Sequence, residues 1–264
     1  MPQLFTIVLS SLLFLVPMQT HVDAGEACYT SKFPTLMYHH IRDYSDDKKT
    51  NDISVSPEEF EAQIRFLSHK WYRSITPRDI HQDKVPCHSV MIMFDDWYYD
   101  VSKNALPIMN KYRYRGVISL ILSRLDESDY LTGDAVIKIQ SFDWEIANHT
   151  WDHPILRSKS ESELNHQIND SKNDLEKWFS IPGWVRTFVY PGGFYDTQSL
   201  NALRASWHMY GFNTHHGLSD LSGSHLELNR INMLPGITPE KLETIIRDLE
   251  LNSEQNITPP VSNL

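Results

Sequence analysis

Val90-Met91-Ile92-Met93-Phe94-Asp95-Asp96 decides the fold: five apolar residues in unbroken succession, then two carboxylates. A strand with one wet face alternates apolar and polar residues. An unbroken run is covered on both faces, as in parallel sheets flanked by helices. Working outward, short runs of the same kind lie at Thr35–Tyr38, Val117–Ile121, Thr187–Tyr190 and Tyr210–Asn213, and another ends near Ile146. Helical signals fall between them. Ser56-Pro57-Glu58-Glu59 is a capping box with proline at the first helical position, followed by Phe60, Ile64 and Leu67 at helical spacing. A second helix is expected over Ser102–Tyr112. Leu164, Ile168, Leu175 and Phe179 mark one face of a long polar helix, and a last helix, capped by Thr238, runs from Pro239 to Leu251. No linker or repeat interrupts the pattern. Strands alternating with helices over about 220 residues indicate one α/β domain with a parallel sheet, open or closed into a barrel.

The chain has 264 residues, with 34 acidic against 24 basic ones, for a net charge of −10. That balance argues against nucleic acid or an anionic lipid surface as the main partner. Two cysteines make neither a zinc ribbon nor a disulfide scaffold, and 13 histidines direct attention to metal or acid–base chemistry. Leu4 to Val16 is apolar but too short to span a bilayer, and Val22-Asp23-Ala24 offers a cut site. Residues 1–24 therefore read as a signal peptide, although no Lys or Arg precedes the apolar run. An uncleaved anchor or a buried N-terminal helix is the competing reading. Cleavage leaves an exported protein with no stable membrane span, consisting of a domain over 25–252 and a polar tail over 253–264. Cys28 and Cys87 each precede a predicted strand by a few residues. Adjacent parallel strands would bring them together as a disulfide in an oxidising compartment, and two separate buried thiols are the alternative.

In parallel α/β folds chemistry gathers at the carboxyl ends of strands. Three polar clusters stand there. Asp95-Asp96 ends the decisive strand, where burial of two carboxylates requires a cation or donors. Asn148-His149-Thr150-Trp151-Asp152-His153 carries two imidazoles four apart, which suit a divalent transition metal. Two histidines and one carboxylate make a three-ligand site with positions left for water and substrate. Tyr190-Pro191-Gly192-Gly193 exposes backbone N–H groups and allows close approach of a ligand.

These residues resemble the polysaccharide deacetylase family, the NodB-homology carbohydrate esterases (family 4). Phe94-Asp95-Asp96 is similar to its T-F-D-D-G motif, His149-Thr150-Trp151-Asp152-His153 to H-[ST]-x-x-H, and Val189-Tyr190-Pro191-Gly192-Gly193 to R-x-P-[YF]-G. Pro34-Thr35-Leu36-Met37-Tyr38-His39-His40-Ile41 resembles the opening of the exported biofilm branch, which acts on poly-β-1,6-N-acetylglucosamine. The resemblance, over roughly residues 34–250, implies a distorted (β/α) barrel with a metal-dependent amide hydrolase at its mouth. It implies Asp96, His149 and His153 as ligands of a divalent metal, most often Zn2+, with Co2+ and Ni2+ as alternatives. Asp95 would be the general base, and the Gly192 N–H would stabilise the oxyanion. The implied substrate is an N-acetylated polysaccharide or oligosaccharide, and the implied products are the free amine and acetate.

Three departures from the family pattern matter. Trp97 stands where the family has glycine, either facing the sugar or packed in the core. Val189 stands at the arginine that tethers the base, so Asp95 needs another partner, and Arg230 is the candidate. The late L-x-H motif that supplies the general acid has no copy. His215 and His216, just past a predicted strand, are the candidates, with His225 a third, and weak acid assistance implies a slow enzyme. Trp71, Trp144, Trp178, Trp184 and Trp207 are each expected in the core. Two other functions fit the same residues: a carbohydrate-binding or assembly module of this fold with little turnover, and a metal hydrolase of another acyl or amide substrate.

Overall fold

The computed structural model describes residues 28–43 and 51–255, so the expected signal segment lies outside the described residues. Eight parallel strands form the frame: β1 (Thr35–Tyr38), β2 (Arg73–Ile75), β3 (Ser89–Phe94), β4 (Val117–Leu120), β5 (Glu145–Asn148), β6 (Thr187–Val189), β7 (Tyr210–His216) and β8 (Leu228–Asn232). Seven of them close a barrel in the order β1-β8-β7-β6-β5-β4-β3, with β3 pairing back onto β1. The eighth, β2, causes the distortion. It pairs with β3 through Ile75↔Met91, on the edge that β4 takes up only from Met93 onward. Thr35↔Met91 already fills the other edge of β3. The lower half of β3 is thus paired with β2 and its upper half with β4, so the wall splays at its foot.

Period-2 alternation sorts the side chains. Along β3, Val90, Ile92 and Phe94 join the layer beneath the helices, whereas Met91 and Met93 fill the barrel interior with Val117, Ala147, Val189, Phe212 and Leu228. Continuing that interior row by two residues on four strands gives Asp95, Ser119, His149 and Arg230. One polar layer therefore caps the dry interior at the carboxyl ends.

The helices α1 (Pro57–His69), α2 (Leu106–Lys111), α3 (Gly133–Gln140), α4 (Glu161–Leu164), α5 (Ser171–Trp178), α6 (Thr197–Ala205) and α7 (Pro239–Gln255) surround this frame. Ser56 and Glu59 form the expected reciprocal cap of α1, and Thr238 Oγ1 accepts the Lys241 N–H at the start of α7. That helix runs past Leu251 to Gln255, so residues 253–255 of the expected tail are helical and the rest lies outside the described residues. The helix expected over Ser102–Tyr112 begins as a π-turn, Val101–Ala105, before α2. Pro107 has no N–H for the Lys103 carbonyl, which disfavours a regular α-helix there. The long polar helix is likewise interrupted by a π-turn, Asn165–Asp170, between α4 and α5.

Cys28 and Cys87 form a disulfide, with their α-carbons 5.4 Å apart. The tryptophans require a correction. Trp97 and Trp144 are buried, but Trp71, Trp178, Trp184 and Trp207 are exposed. Trp178 ends α5, and the other three exposed indoles lie in connections that lead from a helix toward the amino end of the next strand, outside both packed layers.

Candidate active site

Asp95 and Asp96 leave β3 together and part company at once. Asp95 continues the interior row and is 3% exposed. Its backbone N–H donates to the Tyr38 carbonyl at 2.8 Å. Arg230 donates to its two carboxylate oxygens from Nη1 and Nη2, each at 2.8 Å, and Ser119 Oγ donates to Oδ1 at 3.0 Å. Arg230 is itself fully buried and is oriented by Nε donating to the Asn213 carbonyl. A bidentate guanidinium–carboxylate pair fixes both planes. Burial alone would raise the Asp95 pKa, but the Arg230 charge and hydrogen bonds outweigh it and hold the carboxyl below its usual range.

Asp96 turns away through a left-handed backbone, φ 59°, and Trp97 follows at φ 50°. Two successive non-glycine residues in that region are strained, and such strain persists only where the surroundings over-determine it. Here the fully buried Trp97 side chain anchors the turn in the core beneath the helices. Of the two readings of Trp97, the packed one holds, and its indole does not face a sugar.

The turn delivers Asp96 Oδ1 to within 3.3 Å of both His149 Nε2 and His153 Nε2. One ligand atom from each of the three residues lies within 4.8 Å of the others. The His149 Nδ1–H donates to the Val189 carbonyl at 2.8 Å, which leaves Nε2 with its lone pair facing Asp96. The Tyr98 hydroxyl donates to Asp96 Oδ2 at 3.3 Å, whereas buried Oδ1 has no hydrogen-bond partner. An orphaned carboxylate oxygen between two imidazole nitrogens is costly without a cation. The donor set, N, N and O, fits a divalent transition metal. Burial opposes the charge on Asp96, but the adjacent His149 and the neighbouring His39 and His153 imidazoles keep its pKa well below the carboxylate range. Burial also lowers His149, but Asp95 and Asp96 reverse the sign and raise it. His153 is lowered by burial.

The histidine loop is clamped from behind. Asn148 Oδ1 accepts from the Thr150 N–H and from Ser171 Oγ, and its Nδ2 donates to the Ile168 carbonyl. Gln167 Oε1 accepts from the Trp151 and Asp152 N–H groups. Both Gln167 and Ile168 belong to the π-turn, whose wider winding frees a carbonyl and turns a side chain toward the loop. The Thr150 hydroxyl holds the His153 N–H at 2.9 Å. These bonds sustain positive φ at Thr150 and His153, 71° and 67°.

Gly192 is exposed on the turn after β6, at φ 61°, on the loop whose Val189 carbonyl holds His149. His215 and His216 end β7, where His216 pairs in register with Arg230. Both are exposed, and among the described residues neither side chain bonds to either cluster. His225 hydrogen-bonds to the Leu221 carbonyl and stacks on Tyr210 at the amino end of β7, the wrong end of the barrel. His39 is the imidazole that sequence reasoning overlooked. It follows β1 directly, and the pairing Tyr38↔Phe94 puts it beside Asp95. Burial lowers its pKa, while the charges of Asp95 and Asp96 oppose that shift. The strand-end rule that selected His215 selects His39 equally well.

Comparison with known proteins gives a consistent result. The sequence model of the family described as "Polysaccharide deacetylase" matches residues 82–209. YxkH of Bacillus subtilis, whose name assigns it provisionally to the polysaccharide deacetylases, is 27% identical over 225 residues, covering 83% of this chain and 78% of its own. A poly-β-1,6-N-acetyl-D-glucosamine N-deacetylase of Staphylococcus aureus is 26% identical over 247 residues, covering 79% of this chain and 84% of its own. The Streptococcus pyogenes deacetylase PplD, solved with acetate, superposes with a TM-score of 0.77 at 26% identity, covering 81% of this chain and 98% of its own. With the closed parallel barrel and the Asp–His–His cluster at its mouth, the chain is thus similar in sequence and in fold to polysaccharide deacetylases.

Proposed function

We propose that the protein is an exported, metal-dependent N-deacetylase that hydrolyses the acetamide of β-linked N-acetylglucosamine units in a polysaccharide. The observation that carries this reading is the pairing of two differently wired carboxylates. Asp95 is dry, ionised and locked by Arg230, beside an Asp96–His149–His153 cluster with an orphaned oxygen. A divalent cation there, with zinc the best match to the donors, supplies a Lewis acid for the amide carbonyl and lowers the pKa of water toward neutrality.

The chain's own residues do the rest. Asp95 takes the proton of the attacking water, and Arg230 keeps that carboxylate in plane and unprotonated until then. The Gly192 N–H faces the developing oxyanion, a role that needs no side chain. His39, on the opposite side of Asp95 from β4, delivers a proton to the departing amine in place of the exposed His215 and His216. Its depressed pKa keeps the protonated fraction small near neutrality. Slow turnover is the expected consequence, because few molecules carry the proton to be delivered.

The Staphylococcus aureus relative favours the β-1,6 linkage. Acetate release from β-1,6-linked oligomers, β-1,4-linked chitin oligomers and peptidoglycan fragments by zinc-loaded mature protein tests the assignment. Release confined to the β-1,6 series is expected. Preference for another series would reassign the glycan. Binding without release from any of them would make the protein a carbohydrate-binding module.

A further inference from the structure

The end of the barrel opposite the metal cluster carries a feature that the deacetylation chemistry does not use. Glu145 opens β5 and Tyr210 opens β7, so both mark the amino face. Four residues separate Glu145 from His149, roughly 13 Å of strand. A hollow of about 360 Å³ on that face is lined by Arg78, Glu145, Trp184, Arg186, Met209 and Tyr210. A second, of about 210 Å³, adjoins it and shares Arg78, Glu145 and Trp184. Together they form one groove with Trp184 at its centre.

Three observations mark the groove as built for a ligand. Trp184 is 58% exposed, and the Arg78 guanidinium stands 5.7 Å from its ring centre. Arg78 is held in place by Glu145 at 2.8 Å, a contact that fixes the indole's polar border. Arg186, by contrast, has no carboxylate partner among the described residues; it donates to the Gly183 carbonyl and lies 3.7 Å from Met209 Sδ. Trp207, two residues before Met209, is 83% exposed at φ 62°, where a helix end favours glycine or asparagine.

We propose that this groove is a second glycan-binding site, which takes a stretch of the polysaccharide remote from the acetamide being hydrolysed. A pyranose offers an apolar C–H face to an indole and a rim of hydroxyl and amide groups to fixed charged side chains. Trp184, bordered by Arg78, Glu145 and Arg186, presents those two surfaces side by side. Arg78 is matched by Glu145 and Asp143, so Arg186 is the groove cation with no carboxylate partner among the described residues, and its charge favours acetylated sugar over the ammonium-bearing product. Holding one stretch of a polymer raises the local concentration of the rest at the metal cluster.

The inference rests on the polysaccharide reading above, and its test separates the two. Zinc-loaded wild type, Trp184→Ala and Arg186→Ala are compared in co-sedimentation with insoluble β-1,6-linked poly-N-acetylglucosamine, and in acetate release from that polymer and from its trimer. Trp71→Ala, which removes an exposed indole elsewhere, is the control. Polymer binding and polymer turnover should each fall roughly tenfold in the two groove variants, with trimer turnover unchanged. Unchanged polymer binding together with an unchanged polymer-to-trimer ratio would overturn the second site and leave the deacetylase reading intact. Polymer binding lost in the groove variants, with no acetate released by wild type, would support the site and overturn the deacetylase.

Discussion

Asp95 and Asp96 are chemically identical neighbours, and their surroundings give them different work. Asp95 meets a buried guanidinium through both oxygens, whereas Asp96 spends one oxygen on Tyr98 and leaves the other bare between two imidazoles. Removing the guanidinium strands a carboxylate in a dry interior. Arg230→Gln should therefore cost about 3–5 kcal/mol of stability in urea unfolding and abolish most turnover, because Asp95 then takes up a proton. The Tyr98 hydroxyl acts through Asp96. Tyr98→Phe frees the carboxylate to rotate and should weaken zinc roughly tenfold in competition with a chromophoric chelator, with the fold unchanged. The site's chemistry was legible at this scale where a residue type is unusual in its place, as with the paired carboxylates and the spaced imidazoles. His39 was within reach of the strand-end rule, but nothing in Tyr38-His39-His40 alone tells which of the two imidazoles faces the cluster. Only the register of β1 against β3 does so.

At the scale of elements, the strands written as apolar runs were readable, including the β3 run that ends in Asp95-Asp96, whereas β8 and the short β2 were not. Leu228-Asn229-Arg230-Ile231-Asn232 does not read as a buried strand, yet it is β8, because its interior position holds the arginine that neutralises Asp95. Arg73–Ile75 is too short to show any pattern, and it sits on β3 only because the barrel splays there. The π-turns at Val101–Ala105 and Asn165–Asp170 are likewise absent from the helical periodicity, since they displace side chains without changing which are apolar. The turn after β6 illustrates a stricter requirement. A β-carbon on Gly193 would lie 2.1 Å from Thr214 Oγ1, at a backbone φ of 77°. Gly193→Ala should displace the turn, lowering turnover through the neighbouring Gly192 N–H while zinc affinity holds. Kinetics and chelator competition on one preparation check this.

For the whole molecule, a buried imidazole links the site to the acid limit of the fold. His208 is held by Ser206 at 2.8 Å and lies 3.5 Å from Asn148, the residue that clamps the histidine loop. Burial, helped by Lys172, pushes its pKa down to about 3. The unfolded chain binds this proton near pH 6.5 and the folded one only near pH 3, so stability is full above 6.5 and declines as pH falls through that window. The slope from this residue approaches 1.4 kcal/mol per pH unit. His208→Gln should flatten the loss between pH 6.5 and 4 in urea titrations. The same closed barrel separates two faces that the composition could not distinguish: a candidate metal site at the carboxyl end and an aromatic groove at the amino end.

The central claim is that Asp95 is the base of an amide hydrolysis carried out beside a metal held by Asp96, His149 and His153. Acetate release from β-1,6-linked N-acetylglucosamine oligomers by zinc-loaded wild type and Asp95→Asn, at matched metal content, tests it most directly. The account predicts release by the wild type and a loss of at least roughly 100-fold in the variant. A variant that binds zinc and releases acetate at the wild-type rate would contradict it.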